Sequence, residues 1–219
     1  MISELVDELR GVLRGRPVVD GAIPVLVFGL LAGWSVAWAS GIAVAIGLAL
    51  LVVRRVIGGS GVWAIGGIGG VALGAVLAVT FDDAGGFFIP GIVRGGGVAV
   101  IGLVSLLLPL PMVSWTSIVF RRWPAGWYRH PRVRPAYAET TVLWVLFFGA
   151  RALAQYVALD AGATVQSVLA IALGWPATIA LLVVTYVYGT WRLRHLGGPS
   201  VEEFEAGAEP PFEGQRRGF

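Results

Sequence analysis

Arg151 carries the most unusual chemistry in this 219-residue chain: a guanidinium set among apolar residues, with Gln155 four positions on and Tyr156 beside it. Residues four apart share a helix face, so a fixed cation and an amide would project together. At hydrocarbon depth a guanidinium costs at least about 2.5–3.5 kcal/mol on insertion scales unless it is paired or wetted, which makes such a residue a functional candidate. The carboxylates best placed to meet it are Asp82 and Asp83, and Arg94, Asp160 and Gln166 would complete an outward-facing polar vestibule. Two roles stand open. One is a structural Asp–Arg clasp that pins the segment after Asp83 to its neighbours; the other is a substrate or ion site in which Arg151 binds an anionic group. Asp20 and Glu139 lie near the starts of apolar runs, where an acid favours the helix N-terminus. Buried together, they would instead carry protons.

The rest of the catalytic inventory is thin. The only histidines, His130 and His195, sit in basic segments, and the chain has no cysteine. No spacing suits a metal and no Ser, Thr or Asp stands in a nucleophile motif. No metal, no cofactor and no enzymatic activity is expected.

The elements that must position these groups follow from composition. Hydrophobic residues make up 57% of the chain and charged residues only 13%, with mean hydropathy +0.80, against about 25% charged in an ordinary soluble domain. That excludes a soluble enzyme, a disordered chain and a nucleic-acid-binding module. All 16 basic residues are arginine, and asparagine is absent too, the codon signature of a GC-rich genome. A membrane-crossing helix needs about 20 apolar residues. Six runs qualify, at residues 21–39, 41–56, 62–80, 97–120, 140–159 and 165–188, the first two folding back near Ala39, Ser40 and Gly41. The expected fold class is all-α: a polytopic membrane protein with six transmembrane helices. Its transmembrane domain, residues 17–196, follows an N-terminal amphipathic surface helix at 1–16 and precedes a disordered cytoplasmic tail at 197–219.

Short cytoplasmic loops accumulate positive charge. With six spans, fourteen arginines fall on one side and Arg94 alone lies in an outer loop. Both termini are therefore expected in the cytoplasm, at a bacterial plasma membrane. Residues 81–97, rich in glycine but containing Phe87, Phe88 and Ile89, read as a loop dipping into the outer leaflet. Pro109, Pro111 and Pro176 predict kinks.

Three surfaces face partners. Gly66, Gly70 and Gly74 recur every fourth residue, as do Gly29, Gly33 and Ala37; small residues so spaced let helices approach closely, within one chain or between copies of a homo-oligomer. The loop at residues 121–134 interleaves five arginines with Trp123, Trp127 and Tyr128, suiting anionic lipid headgroups of the adjacent bilayer rather than nucleic acid.

Over the stretch Arg151-Ala-Leu-Ala-Gln155-Tyr156, then Gly174-Trp175-Pro176, with Pro24, Phe28 and the pair Arg54-Arg55, the chain resembles an uncharacterised family. Its members are small polytopic membrane proteins of high-GC Gram-positive bacteria, described as a domain of unknown function, and the likeness covers about residues 17–196. More distantly, the first two spans and residues 82–88 resemble the intracellular septation protein A family, inner-membrane proteins linked to envelope maintenance and division. The resemblance implies a membrane location and six spans, and no reaction. The leading expectation is thus a non-enzymatic membrane protein supporting the cell envelope. The competing one is a small-solute or ion transporter, which would carry an internal repeat; none is visible between the first three spans and the last three.

Overall fold

The computed structural model describes residues 17–56, 61–215 and 218–219, where its regular elements are all helices. They run in the order α1 (Pro17–Leu31), α2 (Val36–Val56), α3 (Gly61–Phe81), a 3-10 turn (Ala84–Phe88), α4 (Ile89–Ser105), α5 (Met112–Arg121) and α6 (Ala125–Arg129). There follow α7 (Arg134–Val157), a second 3-10 turn (Leu159–Ala161), α8 (Ala163–Ala172), α9 (Trp175–Leu196) and α10 (Val201–Glu205). Four stretches among the described residues are long and apolar enough to cross a membrane: Val36–Val53, Ala84–Ser105, Arg134–Val157 and Ala163–Leu196. Ala22–Leu31 and Ile68–Phe81 are shorter apolar helices. The chain is thus all-helical and has the apolar helices of a membrane protein. The helix expected over residues 1–16 lies outside the described residues.

Several expected boundaries are corrected, each by a local hydrogen-bonding reason. The first hairpin turns at residues 32–35 rather than at Ala39, Ser40 and Gly41. Ser35 caps α2, its Oγ accepting the Trp38 N–H at 3.3 Å, whereas the Ser40 hydroxyl is buried inside the helix without a partner. The fourth run, expected unbroken over 97–120, is instead a helix that starts at Ile89 and stops at Ser105. Pro90 stands in its first turn, where a missing N–H costs nothing. Pro109 and Pro111 cannot extend it, and Ser105 closes the break: its Oγ donates to the Gly102 carbonyl at 2.6 Å and accepts the Met112 N–H at 2.8 Å. The dipping loop therefore shrinks to residues 82–88. The last apolar stretch does break beside Pro176, between α8 and α9.

The chain divides into two compact units. One comprises, of the described residues, 17–95 and Ala150–Thr178. Its core is aromatic at the centre: Phe28 and Phe87 stack with centroids 3.8 Å apart, and Phe88 meets both edge-on. Ala32, Ala39, Ala43, Ala75 and Ala78 surround them. Glycine permits the approach, since a Cβ on Gly74 would lie 2.4 Å from the Phe87 carbonyl oxygen and one on Gly86 2.9 Å from the Ala78 nitrogen. Gly70 has nothing within 4 Å, and the surroundings of Gly66 lie outside the described residues. The Gly29, Gly33, Ala37 repeat is split by the turn, leaving Gly33 in open space.

The other unit comprises Gly96–Gly149 and Ile179–Phe219. Trp127, Tyr128 and Tyr137 are fully buried there, packed edge-to-face. Burial pushes the Tyr128 phenol above its usual pKa, against the pull of its hydrogen bond to Ser117. The tail, expected to be disordered, folds onto this cluster. Ser200 and Glu203 form a reciprocal capping box that starts α10, the Trp127 indole donates to the Pro199 carbonyl at 2.9 Å, and the Phe219 ring stacks on Tyr137 at 4.3 Å. Gly189 on α9 leaves room for that ring, a Cβ there lying 2.4 Å from it.

Candidate functional site

The unit built from residues 17–95 and Ala150–Thr178 holds Arg151 on the last turns of α7. The side chain is 9% exposed, and its Nε is buried with no hydrogen-bond partner. Gln155 follows on the same face and is also buried, its Oε1 equally unpartnered. The third member, Gln166, comes from α8 and is fully buried. Its Nε2 donates to the Gln155 backbone carbonyl at 2.6 Å, satisfying one of the orphan carbonyls that every helix C-terminus leaves. The cost is Gln166 Oε1, which has no partner. One buried donor and two buried acceptors are thus unsatisfied in a single cluster, where most buried polar atoms in proteins find partners. Arg94, exposed on α4, places a second positive charge within electrostatic reach of Arg151.

The carboxylates expected to neutralise Arg151 are not paired with it. Asp82 closes α3 in the left-handed conformation at φ 50°, which aspartate tolerates better than most residues. Asp83 caps the following 3-10 turn, Oδ1 accepting the Gly85 N–H at 2.9 Å. Among the described residues no ion pair joins either aspartate to Arg151 or Arg94. Asp160 is exposed in the second 3-10 turn. The structure therefore brings together Arg151, Gln155 and Gln166, with Arg94 near, and gives Asp82 and Asp83 turn-forming jobs.

The cluster rests on close packing between α1 and α8. A Cβ on Gly29 would lie 2.1 Å from Ser167 Oγ. Two hydroxyls hydrogen-bond across this approach: Thr164 Oγ1 donates to the Gly29 carbonyl at 3.0 Å and Ser167 Oγ to the Val25 carbonyl at 2.9 Å. Small residues with short hydroxyl bridges are the packing device of helices in lipid. They hold Ser167, and with it the adjacent Gln166, in place.

The second polar cluster lies in the other unit and was not legible as a cluster. Glu139 accepts from Arg192 Nε at 2.7 Å and Nη2 at 2.8 Å, and from the Tyr188 hydroxyl at 2.8 Å. Because α7 begins at Arg134, Glu139 falls in its second turn and has no N-terminal role. Tyr188 and Arg192 are four apart on α9, the spacing that could have signalled a shared partner. Of the arginines at residues 121–134, Arg134 donates to the Leu106 and Leu108 carbonyls at 3.0 and 2.9 Å. Arg132 donates to the Gly197 carbonyl at 3.4 Å, and Arg121 lies 4.9 Å over the Trp123 ring. His130, beside them, is held below its usual pKa by burial and by Arg132.

Among the described residues no three His, Asp or Glu side chains are grouped as metal ligands. The Arg151 cluster offers cation and amide groups, suited to binding an anion by charge-assisted hydrogen bonds; it places no nucleophile beside a base. The model of one family, described as a protein of unknown function (DUF3159), matches residues 11–194. No curated protein and no solved structure matches the chain.

Proposed function

Because the chain belongs to the DUF3159 family, a family of unknown function, we propose its role from its own residues: a non-enzymatic plasma-membrane protein of the cell envelope that holds an anionic group at Arg151. The observation that carries this reading is a guanidinium nine-tenths buried, with an unpartnered Nε and no carboxylate partner among the described residues. A buried charge is retained at such cost where a ligand or counter-ion completes it.

The topology that goes with it has six spans with both termini cytoplasmic: α1, α2, α3, Ala84–Ser105, α7 and Ala163–Leu196. The fourth replaces the 97–120 run of the sequence reading and moves Arg94 from an outer loop into a span. Charge segregation supports this arrangement, since Arg54, Arg55 and the arginines of 121–134 still share one side. On that side Arg122 and Arg129 face anionic headgroups.

A second reading, transport of the anion, is favoured by the interrupted stretch at Leu173 and Gly174, since discontinuous helices border the substrate sites of many transporters. Both readings are tested with the full chain in proteoliposomes and in detergent, using sulfate, phosphate, acetate and chloride. Anion binding that is lost in Arg151→Leu and kept in Arg151→Lys is the expected result. Solute-specific flux would add transport, and equal binding by wild type and Arg151→Leu would overturn the site.

A further inference from the structure

Resting on the reading of Arg151 as an anion site, we propose that its ligand is a phosphate ester carrying neighbouring hydroxyl groups. Two features of the cluster select this chemistry. The first is charge. Arg94 lies within electrostatic reach of Arg151, neither has an acidic partner among the described residues, and a guanidinium fork matches phosphoryl oxygens in geometry and sign. Near neutral pH a phosphate diester carries one negative charge and a monoester up to two, so either supplies anionic oxygens to cations that have no acidic partner. A zwitterionic ligand would bring a third cation to the same place.

The second feature is the mismatch between donors and acceptors. A site built only for a bare anion would present only donors, yet Gln155 Oε1 and Gln166 Oε1 are buried acceptors without a donor. Gln166 cannot cure this by flipping its amide, because its Nε2 already serves the Gln155 backbone carbonyl at 2.6 Å. Gln155 leaves the helix on the same face as Arg151. The two carbonyls therefore call for hydroxyl donors on the same molecule whose phosphoryl group meets the arginines. An orphaned buried acceptor carries a desolvation penalty that such a donor removes, so hydroxyls should raise affinity as well as selectivity. The Arg151 Nε and both amide oxygens are sealed while the terminal amino groups of Arg151 are not among the sealed atoms, so binding begins at those groups and opens the cluster to the hydroxyls.

The same chemistry occurs in a free polyol phosphate and in a phosphoglycerol lipid headgroup, and the test separates them. With full-length protein in detergent, binding of glycerol 3-phosphate is compared with methyl phosphate, which lacks hydroxyls. In nanodiscs, retention of phosphatidylglycerol is compared by native mass spectrometry with phosphatidylmethanol, a phosphodiester of the same charge without hydroxyls. At least tenfold preference for the hydroxylated partner in one arm is expected, and the arm that shows it identifies the source. Gln155→Met should erase the preference in the arm that shows it. Equal binding of hydroxylated and hydroxyl-free partners in both arms of the wild type overturns the inference even if every variant misfolds. So does a preference unchanged in folded Gln155→Met. Failure of the underlying reading looks different: no phosphate of either kind binds wild type better than Arg151→Leu.

Discussion

Two arginines, each meeting residues across a helix pair, have opposite electrostatic fates. Arg192 on α9 is locked to Glu139 by two hydrogen bonds of 2.7 and 2.8 Å, with Tyr188 completing the carboxylate. Arg151 on α7 is more deeply buried, faces the like charge of Arg94, and has glutamines rather than carboxylates around it. A charge met inside the protein fixes helices to one another. A charge buried without a counter-ion makes the folded state wait for something from outside.

The clasp is the place to expect the largest loss of stability. Arg192→Leu leaves Glu139 short of two donors and should lower the midpoint of reversible unfolding in detergent. The double variant Glu139→Leu with Arg192→Leu should recover most of that, because no lone charge remains. Non-recovery would show that the pair does not act as a clasp. Next comes the framework beneath the other cluster. Gly29→Ala forces a methyl into Ser167 and should cost about 2 kcal/mol by overpacking, with weaker anion binding because Gln166 shifts with its neighbour. Tyr188→Phe removes one hydrogen bond to a carboxylate that keeps its arginine, so a loss of about 1 kcal/mol is expected.

The smallest effect concerns the tail. Backbone N–H donation from Ser200 and then Glu213 holds the Glu203 carboxyl below its ordinary value of 4.5. A lowered folded-state pKa gives stability that is present above the unfolded value and lost as pH falls through the folded one. Amide exchange over residues 200–214, corrected for intrinsic rate, should therefore rise below about pH 4.5 in wild type. It should be high and pH-independent in Glu203→Gln.

Much of this was legible in the chain, and the failures share a cause. α3 and α7 fall close to their expected positions because each is a single apolar run whose ends are marked by polar residues. The first turn and the end of α4 were misplaced because apolar residues continue across both breaks, so hydropathy does not change there. What ends the helices is local: the Ser35 cap, and Ser105 working with Pro109 and Pro111. The tail was misjudged because Gly198, of a kind that normally signals disorder, packs on the Arg132 backbone, and because Phe219 finds its space at Gly189 on distant α9. At the site, helical spacing placed Arg151 with Gln155. It could not show that Asp83 would cap its own turn, nor that Glu139 would find Arg192 53 residues away.

The most direct test of the contrast is the thermal unfolding midpoint of wild type, Arg151→Leu and Arg192→Leu, each with and without saturating phosphate. Removing an uncompensated buried charge should leave Arg151→Leu at least as stable as wild type without phosphate, and phosphate should stabilise wild type and Arg192→Leu but not Arg151→Leu. If Arg151→Leu is instead destabilised as much as Arg192→Leu, and phosphate acts equally on all three, Arg151 is a structural residue and the account is wrong.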